Sequence, residues 1–351
     1  MAYGRYLALR IINALIVLVV VIFVISALFN KVAEDQLKIT IEEQVRGETR
    51  NPTFARMSAE KQKEFIAQRK EYYIHMYGLD KSYIQRVMDR TKDTLTLHFG
   101  KAHELRSPTG SKEVSTIIKE VLPRSILLFT TAGIIYSIIG ILVGLKSAQR
   151  AGSPLDKGIS IFALVSLSLP MWWVGMIFIL IFAFKLGWFP ASSYPLPQYE
   201  NLLQYVGGVL YKMALPLITI VFVNFGGWAY TSRNLVIGIL QEDFVMVARA
   251  KGVPERKVIY GHVLRAAAPS IVTLTIFTLL GSLGGAIITE TVFNWPGMGR
   301  LYWAAIQMNE IPVIMGLTFV NIFLYLFAMV LADLVYGYLD PRIKVGVSGR
   351  V

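Results

Sequence analysis

Few side chains in this sequence can do covalent or metal chemistry. The 351 residues include no cysteine and only four histidines, His75, His98, His103 and His262, scattered along the chain. A chain without thiols has no disulfide, thiolate metal site or cysteine nucleophile, and histidines so dispersed argue against a metal cage. No catalytic and no metal-ligating residue is assigned. The only Gly-Lys pair, Gly100-Lys101, is followed by Ala102. The phosphate-cradling pattern G-x-x-x-x-G-K-[ST] is therefore absent, and no nucleotide site is expected in this chain.

The segment whose residue types and spacing stand out is Glu242–Lys257, and its chemistry is mechanical. Glu242 and Asp243 sit where a helix would start and Lys251 near its end, which matches the helix dipole. Gly252 fits the position just past a helix, where a left-handed backbone is needed. Pro254 fits the first turn of a second helix, with Glu255 beside it. Arg256, Lys257, His262 and Arg265 follow. The pattern predicts a short helix–turn–helix.

The elements that must position this segment are apolar. Hydrophobic residues make up 54% of the chain and charged residues 17%, and the mean hydropathy is +0.53. Soluble domains carry about 25% charged residues. Charge-free stretches cover Ile11–Asn30, Ser125–Leu145, Gly158–Phe184, Met213–Ser232, Ala266–Thr289 and Ile311–Ala332, each long enough to cross a hydrocarbon core as a helix. This excludes a soluble enzyme, a disordered protein and a disulfide scaffold. Barrel strands alternate rather than run apolar, so an outer-membrane barrel is disfavoured. The first run is too long for a typical signal peptide and lacks a small-residue cleavage site, so it is read as a retained anchor.

The net charge is +12, and its placement sets orientation. With both termini inside, 14 basic residues lie in the inner segments 1–10, 146–157, 233–265 and 339–351, among them Arg5, Arg10, Arg342, Lys344 and Arg350. The short outer loops hold three: Lys185, Lys212 and Arg300. The positive-inside rule then fixes six helices with both ends cytoplasmic. The domains read as 1–30, the N-terminal end and first span; 31–124, an external insertion; 125–345, a five-span core with the inner loop 233–268; and 346–351, a cytoplasmic tail. The insertion carries 18 basic and 14 acidic residues, near balance, and suggests amphipathic helices such as Ser58–Tyr77. A folded cap and a plain spacer stand as equal readings.

Gly140-x-x-x-Gly144 and Gly281-x-x-x-Gly285 have the small-residue spacing that lets helices approach closely, so intrachain packing is expected of both. The dense run Gly281–Gly285 also suits bending. Glu290 and Asp333 fall at span ends, where a charge is cheaper than at the bilayer centre, and interfacial placement is expected. Asn224 and Asn321 read as links between helices. Asn294–Arg300 reads as a loop with a tight turn at Pro296-Gly297.

Glu242-Asp243-Phe244, Ala248-Arg249-Ala250-Lys251-Gly252 and His262-x-Leu264-Arg265-x-Ala267-x-Pro269 resemble the cytoplasmic "EAA" loop of ABC-importer permeases of the dipeptide/oligopeptide/nickel group. Met246-Val247-Ala248 stands where the leading Glu-Ala-Ala would be. Further likenesses are Arg10-Ile11-Ile12, Gly78-Leu79-Asp80-Lys81, Phe99-Gly100, Val121-Leu122-Pro123, Ser166–Pro170, Leu186–Ala191, Glu290–Arg300 and Asp340-Pro341-Arg342. The resemblance spans roughly 75–351; the stretch 31–74 matches poorly.

The resemblance implies an all-α integral membrane protein of the type I ABC importer permease fold in the cell membrane. It implies a non-catalytic subunit that pairs with a second, related permease. Two cytoplasmic ATPases would carry ATP and Mg, and an extracellular solute-binding protein would deliver the cargo. Peptides lead as cargo, with oligosaccharides or nickel as alternatives. The ATPase-coupling residues would be Glu242, Asp243, Phe244, Val247, Ala248, Arg249, Ala250, Lys251 and Gly252. Phe244 and Val247 would supply apolar contact there. Glu290, Trp295, Pro296 and Gly297 would belong to an outer gate or docking surface, and Asn224, Ser168 and Ser282 would line the pathway. An ion-coupled carrier is disfavoured, since no acid lies mid-span and no inverted halves are evident. A receptor built on 31–124 would need one anchor, not six spans. Nucleic-acid reading is disfavoured for a short loop tethered to membrane at both ends.

Overall fold

The computed structural model describes residues 2–197 and 201–339, the side chains of 2–5 and 335–339 excepted. Arg5, Asp340-Pro341-Arg342, Lys344, Arg350 and the tail 346–351 lie outside that description. The regular elements among the described residues are helices, in the order α1 Ala2–Thr49, α2 Pro52–Ala55, α3 Ala59–Met76, α4 Tyr83–Leu95, α5 Val114–Gln149, α6 Pro154–Ser168 and α7 Met171–Phe178. They continue as α8 Leu202–Leu240, α9 Asp243–Ala250, α10 Glu255–Lys257, α11 Leu264–Gly281, α12 Ile287–Val292, α13 Met298–Gln307 and α14 Ile311–Leu339.

Five helices are long and apolar enough to cross a membrane, and a bent pair brings the number to six if it counts as one span. The bent pair is α6 with α7 and its π-helical extension to Lys185, at 99°. The apolar stretch Gly158–Phe184, read from sequence as one span, is thus bent in its middle. Pro170 lacks the N–H a helix needs and drives the residue before it out of the helical region. Leu169 duly sits at φ −93°, ψ 128°. Other helices outrun their apolar stretches, because hydropathy marks what lipid can cover, not where hydrogen bonding ends. Polar residues with an (i, i+4) pair, Glu34–Lys38 at 2.7 Å, carry α1 well past Asn30.

The chain divides into two compact units. One comprises the described residues within Met1–Ala14, Lys119–Trp303 and Asn321–Val351. In it, Gly140 and Gly144 bring α5 against α8: a Cβ on Gly144 would fall 2.5 Å from the Ala229 carbonyl oxygen. The packing expected of that motif is present. In Gly281-x-x-x-Gly285 only the second glycine is closely packed: nothing lies within 4 Å of a Cβ on Gly281, whereas one on Gly285 would fall 3.3 Å from Ser125 Oγ of α5. Gly285 takes φ +69° and ends the helical run, the bend that the glycine density also allowed. Asp333 pairs with Arg10 (Nε–Oδ2, 2.8 Å), joining the two ends of this unit's chain. Asp156, 4% exposed at its side chain, is held by Arg233 Nη2 (2.8 Å), Ser147 Oγ (2.5 Å) and the Gly152 N–H (2.8 Å).

The other unit is Leu15–Ile118 with Ala304–Val320. Ser82 and Gln85 form a reciprocal capping box that starts α4, and α4 buries Val87, Thr91 and Thr94. The predicted helix over Ser58–Tyr77 forms as α3, but none of its residues is buried; Arg69 and Tyr73 tie it to Glu48 of α1. Glu310, 1% exposed, accepts the consecutive backbone N–H groups of His103 (2.8 Å), Glu104 and Leu105 (3.0 Å). Three convergent amides cradle its carboxylate and fix the 101–113 loop.

Candidate coupling site

The loop over 242–257 folds from its own chemistry. Glu242 is extended at φ −72°, ψ 145° and opens α9 without a side-chain cap bond. The helix closes when the N–H of Lys251 donates to Val247 O (3.0 Å) and that of Val253 to Ala248 O (3.2 Å). That closure puts Gly252 at φ +73°, the left-handed position expected of it. The helix–turn–helix differs from expectation in its second part. The helix opened by Glu255 runs on through a π-helical stretch, Val258–Val263, into α11, so the loop's second helix is the start of a span. Arg249 forks onto Glu255 (Nε–Oε2 3.1 Å, Nη2–Oε1 2.7 Å) and locks α9 to that start.

The two faces of α9 are used differently. Val245 (0% exposed) and Ala248 enter a core with Leu145, Val236, Val258, Ile259, Val263 and Ala267. Phe244 (44%), Met246 (56%) and Val247 (51%) point outward. Of the predicted coupling residues, Ala248 is therefore an inner anchor. Glu242, Asp243, Phe244, Val247, Arg249, Ala250, Lys251 and Gly252 are exposed.

The residues assigned to an outer gate come together, but inside the chain. Glu290 is 0% exposed. It accepts from Ser125 Oγ (2.7 Å), the Gly299 N–H (2.8 Å) and the Arg300 N–H (3.2 Å). Ser125 Oγ in turn accepts from the Met298 N–H at 2.7 Å. Trp295, 0% exposed, donates Nε1–H to the Arg124 carbonyl at 3.1 Å, and Pro296 and Gly297 are buried. A Cβ on Gly297 would lie 2.5 Å from Glu290 Oε2. Backbone amides replace water around Glu290. It lies beyond the candidate span Glu255–Gly284. Burial pushes its carboxyl up to about 7, against the pull of Ser125 and the amides.

Asn224, Ser168 and Ser282 are not joined by hydrogen bonds among the described residues. Asn224 Nδ2 donates to Ile220 O of its own helix (2.7 Å), and Ser168 Oγ to Leu164 O (2.8 Å). Ser282 Oγ lies 2.8 Å from Thr130 Oγ1, which links α5 to the end of α11. Sequence reading missed the Asp156–Arg233 pair and the Glu310 cradle. Only an unexplained acid beside a span marked either.

Several long apolar helices and a loop helix with an outward apolar face mark a multi-pass membrane component. The family model for the binding-protein-dependent transport system inner membrane component matches residues 137–345, more than half of the chain, and the chain belongs to that family. It is 30% identical over 277 residues to the oligopeptide transport system permease protein AppB of Bacillus subtilis (strain 168), covering 78% of this chain and 85% of that one. It is 34% identical over 241 residues to a putative peptide transport system permease protein of Brucella abortus (strain 2308), covering 68% and 74%. It is 30% identical over 288 residues to the di/tripeptide transport system permease protein DppB of Pseudomonas aeruginosa (strain UCBPP-PA14), covering 77% and 84%. The chain is a membrane permease of a binding-protein-dependent transport system.

Proposed function

We propose that this permease forms half of the pathway of an ATP-driven peptide importer and takes its drive through α9. The observation that carries the reading is the split of α9 into an anchored inner face and an outward apolar face of Phe244 and Val247. An apolar face on a polar loop suits a groove on a soluble partner. That partner is a cytoplasmic ATPase, two copies serving this chain and a second, related permease. ATP and Mg sit on the ATPases, and this chain holds no cofactor of its own.

Both termini and the loop 233–268 lie in the cytoplasm, as the positive-inside count supports. An extracellular solute-binding protein delivers the cargo. The relatives' names speak of peptides, which favours peptides over oligosaccharides or nickel. Nucleotide-driven closure of the ATPases moves α9, and the paired permeases switch the open side of the pathway. The test is uptake by proteoliposomes holding the complete complex. The proposal expects peptide uptake that needs ATP inside and survives collapse of ion gradients. Uptake that follows an ion gradient without ATP refutes it.

A further inference from the structure

A cavity of about 530 Å³ lies within the unit of Leu15–Ile118 and Ala304–Val320, between α1, α4, the loop at 98–103 and the first turn of α14. Its volume is that of a small-molecule site. Most of its charges are spent on one another. Lys81 pairs with Asp89 at 2.6 Å and Arg86 Nη2 with Glu34 at 2.8 Å. Arg86 Nη1 serves the carbonyls of Leu79 (3.1 Å) and Lys81 (2.7 Å).

The buried side-chain atoms left without a partner at its wall are donors. Arg90, one turn after Arg86 on α4, lines the cavity and makes no ion pair among the described residues; its guanidinium reaches only the Phe29 carbonyl, at 3.5 Å. Asn30 is 1% exposed, lines the same cavity, and its amide Nδ2 has no partner. Arg86 Nε is likewise buried without an acceptor. Buried donors without acceptors are costly, and native structures fill such needs. The missing element is an acceptor with negative charge. It carries one charge rather than two, because Arg90 is the cavity's one arginine or lysine without an ion pair among the described residues and Asp93, also at the cavity wall, would repel a dianion. A planar monoanion matches the guanidinium fork.

We propose that this cavity binds the free carboxylate end of a short peptide, with Arg90 as its cation and Asn30 and Arg86 Nε as neighbouring donors. The choice of a peptide, and the external position of the cavity, rest on the function proposed above. The carboxylate rests on the cavity alone.

The test uses the full-length chain in nanodiscs, titrated calorimetrically with N-acetyl-Ala-Ala and with its C-terminal amide. The acid is expected to bind at least ten-fold tighter than the amide. Arg90→Gln should remove that preference and Arg90→Lys restore part of it. Equal binding of acid and amide by the unmodified chain overturns the proposal without reliance on any variant. So does failure to bind the acid at 10 mM, or equal affinity for inorganic phosphate or for butyrate. Peptide uptake by the assembled complex is measured in parallel. ATP-dependent uptake without binding by this chain overturns the cavity site and leaves the importer reading standing; binding without ATP-dependent uptake does the reverse.

Discussion

Replacing Gly252 isolates backbone strain at the proposed coupling loop. Its φ is +73°, and a Cβ built there meets nothing within 4 Å. Any substitution therefore pays for conformation and not for collision. An L-residue in the left-handed region costs about 1–2 kcal/mol, and asparagine less. A β-branched residue fares worst there. At RT of about 0.59 kcal/mol, Gly252→Ala should shift the closed turn against its alternatives by roughly 5- to 30-fold, Gly252→Val by more, and Gly252→Asn by least. The turn sets the angle between α9 and the helix that becomes α11, so the effect should appear as lost coupling. The assay is the ratio of peptide taken up to ATP hydrolysed in proteoliposomes with the partner ATPases. The ratio should fall in the order Gly, Asn, Ala, Val while the purified chain keeps its thermal midpoint within a few degrees. A valine variant as well coupled as the parent, or an asparagine variant worse than alanine, refutes the reasoning.

Phe244→Ala and Val247→Asp change exposed positions and should leave folding intact, yet each should cost more than about 1 kcal/mol of ATPase affinity, as interface anchors do; co-purification at graded detergent wash reads this. Gly299→Ala puts a Cβ 2.6 Å from the Ala286 carbonyl carbon and should destabilise by about 1–3 kcal/mol as overpacking, seen as a lower thermal midpoint. Asp156→Leu leaves Arg233 without its partner and should cost about 3–5 kcal/mol, part of which Arg233→Met should recover in the double variant. Glu290 predicts a pH slope. Burial holds its carboxyl above the ordinary glutamate value, at about 7, so between the two the folded chain holds a proton the unfolded chain has lost. Stability should fall as pH rises from about 4.5 to about 7 and level off above, and Glu290→Gln should flatten that slope in thermal unfolding.

How much of this was legible depended on how far apart the partners are in sequence. The left-handed turn at Gly252 was readable, because the acids, the glycine and Pro254 lie within one short segment and each has a local reason. The helical nature of the apolar runs was readable for the same reason. The break at Leu169-Pro170 had its signal in the proline, but hydropathy averaged across it and gave one span. The pairs Arg10–Asp333 and Asp156–Arg233 join residues that only tertiary packing brings together, and no local pattern says which acid meets which base. The burial of Glu290 was hidden for a different reason. An acid beside an apolar run shows nothing of the donors that converge on it. Its donors, the amides of Gly299 and Arg300, carry no side-chain signature. Glu310 and its three amides are the same case in the other unit.

The inner face of α9 explains why a loop of eight helical residues could move spans. Val245 and Ala248 share one core with Leu145 and Ala148 of α5, Val236 of α8, Val258, Ile259 and Val263 of the π-helical stretch, and Ala267 and Ile271 of α11. Interiors packed like crystals do not absorb displacement; they pass it on. A pull on Phe244 and Val247 therefore reaches three apolar helices at once through contacts already closed. The Arg249–Glu255 fork keeps α9 from swinging about Gly252 instead. Cutting the fork with Glu255→Gln should lower the peptide-to-ATP ratio while ATPase co-purification is unchanged, since the outward face is untouched. Truncating the face with Phe244→Ala should lower co-purification first. If both variants fail in the same way, α9 is only an attachment point and its anchored face transmits nothing.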